Sequence, residues 1–527
     1  MKKLPLGIQT FEKIIADDYI YVDKTEYIYS LINRTKGDYY FLSRPRRFGK
    51  SLLVSTLKEL FSGNKHLFKD LWISTTNYDW QQYPVIYLDF SRIDHATVEE
   101  LKISLSWTLT TLAEKYNIVL TDAPTLGAKL STLIEKLSQI NKVVVLIDEY
   151  DKPILDHLHN PDMAQAQQAV LRDFYATIKS MEAHLRFIFM TGVTKFSKTS
   201  VFSGLNNLQD LTLNSLASAL LGYTHKEIDT YFKSIITRTA QSQGVSYDTL
   251  RETIKAWYNG YQFSQTPIKV YNPYSVLLYL SSGQLLNYWF ETGTPSFLVQ
   301  LIKAKDYPIE AIEHAEISAL EMGSFDIDHI DVITLLLQTG YLTINSYNEQ
   351  TRNYQLRYPN EETKISFLYY FVNSLTTTSV SLFSNNIFKL TQALKQNNLD
   401  LFFSTLQIFF AAIPYNMQLA QEKYYQSIFY VIVTLIGAYT HAEVTTNKGR
   451  IDAVIETTSH IYIFEFKLDQ SATIALAQIE DKQYYQKYLH STKHIVLVGA
   501  SFSTQNRNIK EWIIKDSIRA DTLCSFI

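Results

Sequence analysis

The stretch Arg44-Pro45-Arg46-Arg47-Phe48-Gly49-Lys50-Ser51 sets a Gly-Lys-Ser triplet between a strand-like segment, Tyr39-Tyr40-Phe41-Leu42, and a helix-like one from Leu52 to Phe61. In a phosphate-binding loop, backbone N–H groups and the next helix N-terminus cradle the α and β phosphates. The Lys reaches the β and γ phosphates, and the Ser hydroxyl ligates magnesium. Gly49, Lys50 and Ser51 fit those roles, with Arg46, Arg47, Phe48 and Leu52 completing the loop around a nucleotide. The full pattern G-x-x-x-x-G-K-[ST] has Arg44 here where its first glycine belongs. The competing reading is a basic surface turn.

A second segment, Val143-Val144-Val145-Leu146-Ile147-Asp148-Glu149, runs β-branched and aliphatic and then closes on two carboxylates. This is the pattern of a parallel strand buried on both faces. In phosphate-loop enzymes an Asp at such a strand end holds the magnesium shell and a neighbouring carboxylate works on the attacking water. Asp148 and Glu149 take those roles, against the alternative that Asp148-Glu149-Tyr150-Asp151 caps a following helix. Thr191-Gly192-Val193-Thr194-Lys195 follows a third strand-like run, Arg186 to Met190. Thr191 there is a candidate sensor of the γ phosphate, or else an ordinary helix cap shared with Thr194.

The whole chain sets bounds on these readings. Its 527 residues predict about two to four domains. With 46% hydrophobic and 19% charged residues, and with 37 Tyr and 29 Phe, large-scale disorder is not expected. The one cysteine, Cys524, excludes an intramolecular disulfide or a Cys-based zinc cluster and predicts a cytoplasmic setting. The apolar run Ile428 to Tyr439 falls short of the roughly 20 residues of a membrane span and predicts a buried helix. No apolar segment follows Met1-Lys2-Lys3, so neither a secretory signal nor a membrane partner is expected. A formal net charge of −3 gives no global attraction to nucleic acid.

Strand and helix patterns alternate through the first third, with Pro84 to Phe90 as a further strand, which predicts an α/β sheet over residues 1–215. Residues 216–375 predict a helical lid, with helical periodicity around Leu220 to Ile236 and Tyr274 to Leu280. A helix at Ile333 to Gln338 and a hairpin at Tyr341 to Ile344 and Tyr354 to Pro359 suit a winged helix. Residues 376–415 read as a helical connector, and 416–527 as a separate α/β domain.

That last domain carries Gly449-Arg450-Ile451-Asp452-Ala453-Val454-Ile455-Glu456, a four-residue loop Thr457-Thr458-Ser459-His460, and Ile461-Tyr462-Ile463-Phe464-Glu465-Phe466-Lys467, which read as a hairpin. Symmetric register about the loop pairs Glu456 with Ile461, Val454 with Ile463, and Asp452 with Glu465. Carboxylates opposed at about 5 Å repel. Lys467, two residues on, shares their face. A magnesium ion between Asp452 and Glu465, with the Phe466 carbonyl as a further ligand, relieves the repulsion and builds a hydrolytic site. A third acid is expected, with Glu422 at the head of a helix or Glu443 as its rival. The alternative is an ordinary surface hairpin. Gln478 and Tyr484 lie on a following helix, where the simpler reading is a helix surface.

These motifs bring a family into view. The N-terminal third resembles the AAA-ATPase-like family in its loop Arg44 to Leu52, its strand Leu146 to Asp151, and its segment Thr191 to Lys198. Arg44 belongs to that pattern. The segment from 416 onward resembles a PD-(D/E)XK nuclease domain in Gly449-Arg450-Ile451-Asp452 and Glu465-Phe466-Lys467. It departs at Tyr425-Gln426, where Tyr-His is expected. Trp257 to Tyr261, Tyr271 to Pro273 and Tyr288 to Pro295 extend the likeness over most of the chain.

The resemblance implies an α/β P-loop ATPase module, a helical lid, and a restriction-endonuclease-like domain. ATP and Mg2+ are the expected cofactors, with Mn2+ an alternative at the nuclease site. DNA is the expected partner, and a defence or mobile-element role is an extrapolation from the architecture. The rival function is an ATP-operated switch or scaffold that binds nucleic acid or a partner without cutting it. Arg46, Arg47 and Arg186 all stand as candidate arginine fingers, and a homo-oligomer is left open.

Overall fold

The computed structural model describes residues 2–33, 39–120, 122–196, 207–290, 296–305, 307, 309–313, 315–322, 327, 330–375, 380–413, 422–440, 443–447 and 451–516. Its contacts divide into two compact units, Met1–Leu301 with His314–Thr363, and Ile302–Glu313 with Lys364–Ile527.

The first unit is built on a five-stranded parallel sheet. Its strands are β1 (Tyr39–Ser43), β2 (Val85–Asp89), β3 (Val143–Asp148), β4 (Leu185–Gly192) and β5 (Gln209–Asp210), in the order β2-β3-β4-β1-β5. Every residue of β1 and β3 is buried, so both faces are covered, as the unbroken apolar runs require. The helix Lys50–Phe61 leaves β1 through Gly49, whose φ of 92° suits glycine. Its Leu53, Val54, Leu57, Leu60 and Phe61 pack on Val144, Leu146, Phe187 and Phe189 of the sheet. Because β4 lies between β1 and β3, the C-terminal ends of all three converge at one edge. Ligands of open α/β sheets bind at that edge.

After the sheet come β6 (Tyr223–Thr224) and β7 (Val270–Tyr271), which pair antiparallel. The helices His225–Tyr231, Lys233–Gln243, Tyr247–Tyr258 and Pro273–Ser282 share a core of Ile228, Phe232, Ile236, Leu250, Ile254, Val276 and Tyr279. The helical periodicity around Leu220 to Ile236 falls in two helices that begin at His225 and are broken at Phe232 (φ −119°). The helix Val332–Thr339 precedes a hairpin, as the pattern predicts, and an additional strand joins it. The strands β8 (Glu316–Ser318), β9 (Thr343–Asn348) and β10 (Asn353–Arg357) form an antiparallel sheet in the order β8-β10-β9.

The second unit carries a mixed sheet of β11 (Glu443–Asn447), β12 (Ile451–Glu456), β13 (His460–Leu468), β14 (His494–Ser503) and β15 (Asn508–Asp516), in that order. Only β13 and β14 are parallel, and the helix Ala472–Asp481 lies between them in the chain. That helix sits close on the sheet, since a Cβ on Gly499 would come within 2.4 Å of the Ala472 carbonyl oxygen. The helix Leu399–Ala411 also belongs to this core, with Phe402 facing Phe464 and Phe403 stacked on Trp512 at 4.9 Å. Helix Glu422–Thr440 covers the run predicted as a buried helix. Among the described residues, no helix is long and apolar enough to cross a membrane.

Candidate functional site

A cavity of about 300 Å³ opens where β1 and β3 end, and Arg46, Arg47, Lys50, Ser51, Glu149 and Asp151 contribute to its wall. Lys50 is buried, and its ammonium donates to the carbonyls of Arg44 at 2.9 Å and Pro45 at 3.0 Å. Burial lowers its pKa, against the pull of Glu149, Asp148 and Asp151. Asp148 ends β3 and is 1% exposed. Burial pushes its carboxyl up to about 6, while the Ser51 hydroxyl hydrogen bond and the Lys50 charge hold it down. Ser51 and Lys50 of the loop thus both favour the charged form of the aspartate of the second motif. Glu149 follows in a left-handed conformation (φ 52°), its N–H donating to Asp148 Oδ1 at 3.1 Å.

Arg44 explains its own departure from the glycine pattern. Its guanidinium is 1% exposed and donates to the carbonyls of Ser43 and Thr212 at 2.8 Å and Ala217 at 3.0 Å, with the Phe263 ring 4.1 Å away. The side chain turns into the protein and fastens the loop to the chain after β5. Where a glycine leaves room, this arginine supplies a brace.

Besides the buried Asp148, two of the candidate nucleotide contacts lie outside the cavity wall. Thr191 is fully buried and gives its hydroxyl to the Leu42 carbonyl at 2.8 Å, so it links β4 to β1 and is not part of the cavity wall. Phe48 is also buried, its ring edge-on to Tyr261 at 4.7 Å and Phe263 at 5.4 Å. Thr194 is held by Asp151, whose carboxylate accepts from the Val193 N–H, the Thr194 N–H and the Thr194 hydroxyl. Asp151 is thus a brace between the two motifs, with no side-chain bond to the helix it precedes. Its position in the acidic strand end was the signal for it. Tyr274 and the segment Pro5 to Gln9 also line the cavity and carry no motif that announces them. Arg186 is remote from the cavity in sequence register, near the start of β4, where it donates to the Ile32 carbonyl at 3.0 Å.

In the second unit, the hairpin has the register expected from its sequence: Glu456 pairs with Ile461, Val454 with Ile463 and Ala453 with Phe464. The paired register runs as far as Ala453 and Phe464, one position short of Asp452 and Glu465. The β13 strand starts at His460, and the Thr457 N–H bonds the His460 carbonyl at 2.8 Å, so the turn is tighter than a four-residue loop. Glu422 is the first residue of the helix Glu422–Thr440 and Asp452 the second of β12, but the side chains of both, like that of Glu443, lie outside the described residues. Glu465 is 3% exposed and accepts from Lys467 Nζ at 3.1 Å. Gln478, reaching over from the helix Ala472–Asp481, donates its amide to the same carboxylate oxygen. Its amide also contacts the Tyr484 hydroxyl at 3.4 Å. The helix-surface reading of Gln478 is therefore replaced by a place at the carboxylate. Phe466 lies in the β13–β14 ladder opposite Ala500, its ring 4.4 Å from that of Phe429.

The donor sets at both places suit hard ligands. Hydroxyl, carboxylate and ammonium converge at the first, and at the second a buried carboxylate is shared by an ammonium and an amide. Oxygen donors of this kind suit hard divalent metal ions. Among the described residues, no three His, Cys, Asp or Glu side chains gather as a metal site.

The architecture is that of an AAA-type ATPase domain followed by a PD-(D/E)XK nuclease superfamily domain. Residues 5–202 match the family model described as Predicted AAA-ATPase, and residues 420–512 match that of the PD-(D/E)XK nuclease superfamily. Families of these two kinds use ATP and divalent metal ions. A relative from Azotobacter chroococcum mcd 1, described as an uncharacterized protein in the vnfD 5' region, is 39% identical over 533 residues, spanning 98% of this chain and 99% of its own. The chain belongs to the family of AAA-ATPase-like proteins that carry a C-terminal PD-(D/E)XK nuclease superfamily domain.

Proposed function

We propose that the protein binds and hydrolyses ATP at its first unit and uses that cycle to govern a magnesium-dependent DNA nuclease in its second. The observation that carries the reading is the one cavity wall that gathers Gly49, Lys50 and Ser51 of the loop with Glu149, the residue after β3. The loop backbone from Gly49 to Leu52 would cradle the phosphates, and Lys50 would exchange its two carbonyl partners for phosphate oxygens. Ser51 and Asp148 would hold magnesium, which neutralises phosphate charge when bound. Glu149 accepts the proton of the attacking water.

At the second site, Asp452, Glu465, the Phe466 carbonyl and Glu422 would hold the metal, which polarises the scissile phosphate when bound. Lys467 offers its ammonium to the charge that builds on phosphorus, and Gln478 fixes Glu465 beside it. DNA is proposed over other phosphodiesters on the strength of the family alone, and a cytoplasmic setting from the single cysteine.

The test is cleavage of labelled DNA with magnesium, with and without ATP, by the wild type, Lys50→Ala and Lys467→Ala. ATP-dependent cutting that both substitutions abolish supports the reading. ATP turnover with every DNA form left intact would replace the nuclease with a switch or scaffold, and cutting by Lys467→Ala at the wild-type rate would remove Lys467 from the mechanism.

A further inference from the structure

Among the described residues, ten non-glycine positions have a positive φ, and of these Arg47 (φ 65°) and Glu149 (φ 52°) line the cavity beside Lys50. A side chain held in the left-handed region costs free energy, and such outliers gather where function requires them. Here they place one cation and one carboxylate at the same wall. The loop around Arg47 is fixed from outside. The Trp289 indole N–H donates to the Arg46 carbonyl at 3.0 Å, and a Cβ on Gly340 would lie 2.6 Å from the ring of Pro45.

The guanidinium of Arg47 lies 5.0 Å from the centre of the Tyr274 ring, in the first turn of the helix Pro273–Ser282. An aromatic face holds a cation in place without neutralising it, as a carboxylate would. Of the other cations nearby, Lys152 pairs with Asp156 at 2.9 Å, Lys50 is tied to two carbonyls and Arg44 is buried on three, which leaves Arg46, exposed at the same wall, as the alternative that the experiment must separate. Arg186, a rival from the sequence, is spent on the Ile32 carbonyl.

We propose that Arg47 is the arginine finger of the ATPase site and acts in cis, meeting the charge that develops on the γ phosphate. This rests on the ATP-hydrolysis reading above. In the step, a water oxygen bonds to the γ phosphorus as the bond from that phosphorus to the β–γ bridging oxygen breaks. The bonding pair leaves on ADP, the water proton passes to the Glu149 carboxylate and then to solvent, and inorganic phosphate is released. Arg47 leaves the Tyr274 face to reach the phosphoryl oxygens, so the helix Pro273–Ser282 senses whether the γ phosphate is present.

The experiment compares wild type, Arg47→Ala, Arg47→Lys and Arg46→Ala by steady-state ATP turnover and by titration with a fluorescent ATP analogue. Arg47→Ala is expected to lower kcat on the order of 10³-fold with analogue affinity within a few-fold of wild type. Arg47→Lys is expected to restore only part of this, since an ammonium lacks the fork of a guanidinium. Arg46→Ala is expected to weaken analogue binding with a far smaller loss of kcat than Arg47→Ala, and wild-type turnover per molecule should not depend on protein concentration. Turnover in Arg47→Ala within threefold of wild type overturns the proposal, as does an equal loss in Arg46→Ala. Recovery on mixing Arg47→Ala with Lys50→Ala, which supplies Arg47 only from another molecule, overturns action in cis. A wild type that fails to bind the analogue overturns the ATP reading itself, whereas bound analogue with unaltered turnover in Arg47→Ala overturns this inference alone.

Discussion

Arg44 shows how a residue that breaks a motif can serve it. A glycine at the head of the loop is expected for backbone clearance, and the arginine found there instead satisfies three buried carbonyls. Arg44→Gly would restore the motif on paper and strip those carbonyls of their donor. The expected loss is roughly 2–5 kcal/mol of unfolding free energy by urea titration, and a stability equal to wild type would refute the bracing role. That Gly49, Lys50, Ser51 and Glu149 would meet at one cavity could be read from spacing, because phosphate chemistry dictates both residue type and order. Thr191 could not, because a strand buried on both faces gives no alternation to tell which way a hydroxyl turns. Nor could Gln478, whose contact with Glu465 depends on how closely the helix lies over Gly499.

Elements carry a second layer of evidence. The strand ends β1, β3 and β4 fell where continuous apolar runs stopped, and the hairpin register of β12 and β13 followed from the turn. The strands β14 and β15 were not anticipated, since their pairing with β13 is set by the crossover helix. Between the turn before helix Val98–Glu114 and the helix Lys152–Leu155, His95 presents Nδ1 to the Ile93 carbonyl at 2.7 Å and Nε2 to Asp156 at 3.1 Å. Both partners are acceptors, so these two bonds favour the imidazolium form. The Asp156 bond raises the His95 pKa above its usual 6.5. Burial opposes ionisation of Asp156, but the bonds from His95 and Lys152 prevail and lower it to about 2.

The stabilising share of His95 is therefore complete below pH 6.5 and is lost as the pH climbs through its raised folded pKa. The share of Asp156 is present above its ordinary 3.8 and is lost as the pH falls toward 2. Urea midpoints of wild type and His95→Gln should differ most between those limits and converge as the pH rises. A difference that stays level up to pH 9 would show that the ring is not charged.

For the whole molecule, the division into two units does not follow the chain from end to end. The segment Ile302–Glu313 belongs with Lys364–Ile527, while His314–Thr363 returns to the first unit. Composition gives no sign of this, because a short helical piece reads the same whichever core receives it. Glu313 accepts from Lys364 at 2.8 Å and from the Tyr430 hydroxyl at 2.6 Å, both inside the second unit. Glu313→Ala should cost about 1–2 kcal/mol, measured as a lower urea midpoint, and a larger loss than in Glu313→Gln, which keeps an acceptor for Tyr430. Equal effects of the two substitutions would assign the cost to packing.

That interleaving has a consequence for how the protein is made. Ile302, Ile309 and Ile312 are at most 2% exposed in the finished fold, yet Tyr430, which grips the same segment through Glu313, is 117 residues further along. At roughly 5–20 residues per second, the ribosome needs on the order of ten seconds to supply it. During that interval the nascent chain must carry an apolar helix whose home has not yet been translated, so its safe passage depends on the pace of synthesis and on whatever shields the emerging polypeptide.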